Sequence, residues 1–267
     1  MKADLPAWLD AGPADAKTTL VFLHGIGGGK MGFKSSVDYF ASLGYRALAW
    51  DMPGYGDSPL TGTLSFASLA QSLELMLDAA QVQKAVLVGH SMGGMVAQEV
   101  MARRPELVNK LVLCGTSAAF GKPGGDWQQA FVQSRMAPLL AGQTMAELVE
   151  TLVPAMAGPQ ALPEGLTLAK HCMAQVPVAT YRRALEALVT FNRQDALSQI
   201  GVPTLLMAGE CDPNAPPKVM QRMAERIPGS RYVEFPGIGH LMNLETPDDF
   251  DQALIEFLRE APPHRVH

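Results

Sequence analysis

Cysteine is scarce: Cys114, Cys172 and Cys211 are the three in 267 residues. Far apart and odd in number, they supply neither a disulfide framework nor a zinc cluster, and Cys114 reads as strand packing. The six histidines include no HxH or HExxH spacing. No ligand set for a hydrolytic metal is visible, and neither metal nor cofactor is expected. No apolar run approaches the roughly 20 residues of a membrane span. Residues 1–10 carry Asp4, Pro6 and Asp10 and no apolar core of signal-peptide length, so the expected compartment is the cytoplasm. A basic surplus is missing too. Acids outnumber Lys plus Arg by 26 to 21 with no block of like charge, which argues against nucleic acid or a membrane surface as partner and leaves a small molecule.

What is abundant is apolar sequence, 48% of the chain, enough for a large core. Runs of strand length recur: TLVFLHG (19–25), YRALAWD (45–51), AVLVGH (85–90), KLVLCGT (110–116), PTLLMAGE (203–210) and RYVEFPG (231–237). Such near-continuous apolar runs suit a parallel sheet buried on both faces. Between them, Phe66, Leu69, Leu73, Met76 and Ala80 share one helical face, as do Phe250, Leu254, Phe257 and Leu258. The second of these helices opens with TPDD, where Thr246 can cap and Pro247 fits the first turn. The alternation predicts an α/β fold, a doubly wound and mostly parallel sheet with its site at the strands' carboxyl ends. It breaks between Ser117 and Ile200, where TMAELVETLVPAM and TYRRALEALVTF look helical and Pro138, Pro154, Pro159, Pro163 and Pro177 punctuate. We read 117–200 as an inserted helical cap and 1–116 with 201–267 as the core.

At VLVGHSMGGMVAQEV (86–100) an apolar run stops at Ser91 and an amphipathic pattern begins. Ser91 is either an ordinary helix cap or a nucleophile on a turn so tight that only glycine fits beside it, a demand Gly89 and Gly93 meet. A nucleophilic serine needs a base, and the base needs a group that sets its tautomer. His240 follows the last strand run in GIGHLMNLETP, and Asp212 follows the strand before it in GECDPNAPP. Taken alone, His240 can be a solvated loop residue and Asp212 a turn former; the chain order Ser, Asp, His at three strand ends favours chemistry. Glu210 is the competing carboxylate, but it closes the strand while Asp212 stands further into the loop before Pro213. Donors for an oxyanion are expected from the backbone N–H of Met92 and from the HGIGGGK loop, where Ile26 is assigned and Gly27 is its neighbouring substitute. Those glycines are read as forming neither GxGxxG nor GxxxxGK[ST], which disfavours a phosphate-binding loop and with it a Rossmann oxidoreductase. Of the other histidines, His90 is expected to pack, His171 belongs to the cap, and His264 and His267 to the tail.

LHGIGGG, DMPGYGDS, GHSMGG, GECDPNAP and GIGHLMNLETP, spread over residues 23–247, together resemble the α/β-hydrolase fold family. The resemblance implies Ser91 as nucleophile, Asp212 as acid, His240 as base, and the amides of Ile26 and Met92 as oxyanion hole. Dehalogenases and epoxide hydrolases of the family carry aspartate where this chain has Ser91, which disfavours those activities. The family begins with a strand hairpin, whereas ADLPAWLDAGPADAK has little strand character, so one or both early strands are expected to be missing.

Within the family the chain is similar to carboxylesterases, enol-lactonases and carbon–carbon hydrolases that act on ring-opened aromatic products. GYRALAWDMPGYGDS leans toward the last group, but those enzymes commonly have Trp after the catalytic histidine where this chain has Leu241. Hydrolysis of a small ester or lactone is the expected activity and C–C hydrolysis the alternative, with a low-turnover ligand receptor of the same fold as a reading from another class. Met136, Met145, Met156 and Met173 suit an adaptable apolar pocket or plain packing. Arg182, Arg183 and Arg193 are candidates for binding a substrate carboxylate, or else solvated.

Overall fold

The six apolar runs become strands β2 (Thr19–Leu23), β3 (Arg46–Trp50), β4 (Ala85–His90), β5 (Val108–Cys114), β6 (Thr204–Gly209) and β7 (Arg231–Phe235), all mutually parallel where they pair. With β1 (Trp8–Ala11) they form one sheet in the order β1-β3-β2-β4-β5-β6-β7. This computed structural model describes residues 5–60, 62–121 and 126–260. Asp4, His264 and His267 lie outside the described residues. No helix among those described is long and apolar enough to cross a membrane.

One of the early strands is therefore present. β1 pairs antiparallel with β3, Trp8 opposite Trp50 and Ala11 opposite Ala47. Its four residues carry little β-propensity of their own, and a side-chain pair on the same two strands reinforces the match: Arg46 donates from Nε to Asp10 Oδ1 at 3.0 Å and from its terminal nitrogen to Oδ2 at 2.7 Å. Bidentate geometry of this kind is specific as well as favourable.

Helices cover both faces, as the doubly wound order requires. On one side α2 (Phe66–Ala79) and α3 (Met92–Arg103) bury Leu69, Leu73, Val96 and Val100 against Leu87 and Leu111. On the other, α1 (Lys34–Ser42) and α10 (Pro247–Arg259) bring Phe40 and Phe250 against Phe22, Phe33 and Val88. Thr246 stands at the N-cap of α10 but does not cap it through its side chain; its hydroxyl donates instead to Asp249 Oδ2 at 2.6 Å.

Between β5 and β6 the chain makes α4 (Asp126–Leu140), α5 (Met145–Met156), α6 (Pro163–Ala174) and α7 (Val178–Leu188). α5 starts at a reciprocal cap, with Thr144 Oγ1 accepting from the Glu147 amide and the Glu147 carboxylate accepting from the Thr144 amide. Pro163 opens α6 and Pro177 precedes α7, while Pro138 and Pro154 lie inside the last turns of α4 and α5 rather than between helices. After β6 come α8 (Pro217–Arg226) and, beyond β7, the short α9 (Met242–Glu245).

Asp251 on α10 is buried and accepts from Ser36 Oγ at 2.8 Å. Burial is the main reason its pKa is raised to about 6, with Asp248 adding to the rise and the Ser36 bond opposing it. The folded state thus holds this proton more tightly than the unfolded chain does. The stabilisation is complete below the unfolded pKa of about 4 and is lost as pH rises through the folded value. Asp251→Asn, which needs no proton to stay neutral, is expected to be more stable than wild type by on the order of 2 kcal/mol at pH 8, with no such gain at pH 3. Urea unfolding of both proteins at the two pH values measures this, and an equal difference at both refutes it.

Candidate active site

Ser91 occupies the corner between β4 and α3 with φ 52° and ψ −119°, a backbone conformation that costs a non-glycine residue roughly 1–3 kcal/mol. Its hydroxyl makes no capping bond to α3, so the cap reading of this serine fails. The crowding around it is real. A Cβ on Gly89 would lie 2.5 Å from the Gly93 carbonyl oxygen, and one on Gly93 would lie 2.1 Å from the carbonyl oxygen of Leu23. Gly93 is thus demanded by the neighbouring strand β2 rather than by Gly89.

His240 lies in the loop between β7 and α9 and is held at three points. Its amide donates to the Met156 carbonyl at 2.8 Å, its carbonyl accepts from His90 Nε2 at 2.7 Å, and its Nδ1 donates to Asp212 Oδ2 at 2.8 Å. Asp212 is both turn former and partner: Oδ1 accepts from the amides of Asn214 and Ala215 at 2.7 and 3.0 Å while Oδ2 faces the imidazole. Burial works to raise its pKa, but His240 and the two amides outweigh burial and hold the carboxyl below its ordinary value. Glu210 is turned elsewhere, accepting from the Gly237 amide at 2.7 Å. His90 packs 4.9 Å from the His240 ring, and burial followed by the neighbouring imidazole lowers its pKa to about 3. It stays neutral at any working pH.

Ser91, His240 and Ile26 line one cavity of about 470 Å³. Met92 is fully buried at the first position of α3 and is not among its lining residues. A trans peptide sets its carbonyl and the next amide in opposite directions, so holding one aims the other. The Gly25 carbonyl, which shares a peptide with the Ile26 amide, accepts from His24 Nδ1 at 2.7 Å and from the Gly28 amide at 3.0 Å. His24 Nε2 meanwhile accepts from the Met52 amide at 2.9 Å. Those two bonds define a neutral tautomer, in keeping with a pKa lowered chiefly by burial. The Ser91 carbonyl, which shares a peptide with the Met92 amide, accepts from Thr116 Oγ1 at 2.7 Å and from the Gly94 amide at 2.9 Å. His24 and Thr116 were missed from sequence. His24 stood in the LHGIGGG motif, but nothing local to Thr116 points to Ser91. Gly27, Gly29 and Gly32 do match GxGxxG spacing, against the reading from sequence, but Gly32 lies in a 3₁₀ turn at Lys30–Phe33 that runs on into α1 and not in the α-helix itself.

Glu245 is a third residue not singled out. Fully buried, it accepts from the amides of Gly158 and Gly239 through Oε2 at 2.8 and 2.7 Å and from Leu241 through Oε1 at 2.7 Å. One carboxylate therefore brackets His240 and ties its loop to the segment after α5. Removing it strands three backbone donors, the Gly239 amide buried and those of Gly158 and Leu241 half-buried, at up to about 1–3 kcal/mol each. Glu245→Ala is expected to lose several kcal/mol of stability, read by chemical denaturation; a loss under about 1 kcal/mol would refute the bracing role.

The stretch from α4 to α7 supplies most of the cavity's apolar wall, including Phe131, Leu152, Met156, Met173, Leu185 and Leu188. Of the methionines named from sequence, Met156 and Met173 line it, while Met136 and Met145 are buried in packing. The three candidate arginines do not reach it. Arg182 pairs with Glu186, Arg193 holds both oxygens of Glu99 at 2.7 Å, and Arg183 reaches the Gly62 carbonyl at 3.5 Å. The arginine that does line it is Arg135 on α4. Among the described residues no group of three or more His, Cys, Asp or Glu is placed to hold a metal ion.

A model of the alpha/beta hydrolase fold matches residues 18–247. The chain is 31% identical to a 2-hydroxy-6-oxononadienedioate/2-hydroxy-6-oxononatrienedioate hydrolase of Paraburkholderia phymatum, over 91% of this chain and 87% of that protein. Among solved structures, a thermophilic esterase from Thermogutta terrifontis superposes with a TM-score of 0.85 at 25% identity, covering 95% of this chain and 93% of the other. The enol-lactonase from Burkholderia xenovorans LB400 superposes equally well, TM-score 0.85 over 96% of both chains, at 22% identity, a likeness of fold.

Proposed function

The chain belongs to the α/β-hydrolase fold family, and we propose that it is a serine hydrolase that cleaves a small carboxylic ester or lactone through an acyl-enzyme on Ser91. The observation that carries this reading is the Asp212–His240 hydrogen bond at 2.8 Å, made by a histidine that lines the same cavity as the strained Ser91.

In this reading His240 Nε2 takes the Ser91 proton as Oγ attacks the carbonyl carbon, and Asp212 stabilises the imidazolium that results. Charge gathers on the carbonyl oxygen, where the amides of Ile26 and Met92 donate; such donors are each worth roughly 100-fold to 1000-fold in turnover. His240 then protonates the leaving alkoxide. Water, deprotonated by the same histidine, releases the acid and regenerates Ser91. Residues 117–200 act as the cap that shapes the acyl pocket, on the core formed by 1–116 and 201–267. The apolar lining supports a largely apolar substrate of modest size.

A hydrolysis screen of short acyl esters, lactones and vinylogous diketones tests the reading. Sustained turnover of esters or lactones is the expected result. Preference for the diketones would instead favour C–C hydrolysis. A single stoichiometric burst followed by silence would favour a ligand receptor.

A further inference from the structure

The chain as a whole carries a net charge of −5, yet among the described residues no Asp or Glu lines the cavity that holds Ser91. Arg135 is the one permanently charged side chain among the described residues of its wall. Its guanidinium sits 5.3 Å from the centre of the Phe131 ring, on the same helix, and has no carboxylate partner among the described residues. The contrast with Arg193, which closes a bidentate pair with Glu99, is direct.

Tyr181 reaches the same wall from α7 and is 2% exposed. Its hydroxyl makes no hydrogen bond to any described residue, whereas the phenol of Tyr55, the other tyrosine buried to this degree, donates to the Ile26 carbonyl at 2.9 Å. Burial raises the Tyr181 pKa and the charge of Arg135 opposes the rise, so the two groups share one electrostatic neighbourhood and the phenol keeps its proton. Three other polar side chains of the wall are engaged: Thr116 on the Ser91 carbonyl, Ser117 on the Ala119 carbonyl and Asn243 on the Gly32 carbonyl.

A half-buried guanidinium with no carboxylate partner and a phenol with no hydrogen bond, both on the wall of one apolar cavity, leave donors that a ligand there can use. The planar fork of Arg matches a carboxylate, and the Tyr hydroxyl adds a further donor. Resting on the serine-hydrolase reading above, we propose that Arg135 and the Tyr181 hydroxyl bind a carboxylate carried by the substrate. The substrates are then half-esters or carboxylate-bearing lactones rather than neutral esters.

Monomethyl glutarate and dimethyl glutarate form the test pair, differing in one free carboxylate. Wild type is expected to favour the monoester in kcat/KM by tenfold or more. Arg135→Gln should shrink that ratio about 10-fold to 100-fold, chiefly through KM, as loss of a charge-assisted bond does. Tyr181→Phe should shrink it a few-fold. Arg182→Gln, outside the cavity, should keep the wild-type ratio. No preference in wild type, or an unchanged ratio in Arg135→Gln, overturns the proposal. If wild type hydrolyses no ester or lactone at all, it is the serine-hydrolase reading that fails. Calorimetry then decides the anchor separately: Ser91→Ala should bind the monoester more tightly than the diester and lose that margin when Arg135→Gln is added. Equal affinities overturn it.

Discussion

Replacing Ser91 by alanine is expected to abolish turnover, by roughly 10⁶-fold where a triad nucleophile is removed, while leaving the fold and its stability unchanged within about 1 kcal/mol. The separation follows from the local structure. The strain at φ 52° belongs to the backbone and to the glycines around it, and alanine keeps the same Cβ. The hydroxyl contributes no cap to α3, so its loss removes nothing the helix needs. A fluorophosphonate should modify the wild type once, at Ser91, and the variant not at all. Turnover that survives in the alanine protein, or a label on another residue, sinks the nucleophile assignment whatever the substrate proves to be.

The second large effect is expected from Asp212→Asn, and the hydrogen bonds say why an isosteric change is so damaging. The amides of Asn214 and Ala215 both donate to Asp212 Oδ1, so an asparagine keeps its carbonyl oxygen there. Its NH₂ then faces His240. A donor opposite Nδ1 forces the imidazole to accept at that nitrogen and to carry its proton on Nε2, where the serine proton has to go. Turnover should fall on the order of 10⁴-fold, as loss of tautomer control does in the best-studied triad. Glu210→Gln should cost far less, because that carboxylate is bound to the Gly237 amide. Measured at matched fold stability, the reverse ranking would show that the acid had been misassigned.

The order of strands and helices was legible because apolar runs and helical periodicity are local properties, present in any dozen residues. The Ser91 corner was legible for the same reason: its glycines stand within three positions of the serine, although the turn itself crowds only Gly89, while Gly93 and Gly94 are crowded by Leu23 and Thr116. Asp212 and His240 could be named because each follows directly on a strand run, and the carboxyl ends of parallel strands gather on one side of a sheet. Position in the loop separated Asp212 from Glu210, but the bonds that decide the choice, one to an imidazole and one to the Gly237 amide, run between separate loops. β1 was hidden because its strand character comes from pairing with β3 and from the Arg46–Asp10 bridge, not from WLDA. The same limit explains the arginines. Nothing in the local sequence distinguishes Arg135 from Arg182, Arg183 or Arg193; which of them meets the cavity and which meets Glu99 or Glu186 depends on how the helices between β5 and β6 turn against the sheet. Thr116 and Glu245 hold peptide groups distant in the chain, and the ring of His24, though it holds the adjacent Gly25 carbonyl, is set by the Met52 amide on its other nitrogen. Residue chemistry and local period were therefore set by sequence alone, while partner choice was settled by tertiary structure, since a hydrogen bond or ion pair depends on distances that only the packed chain defines.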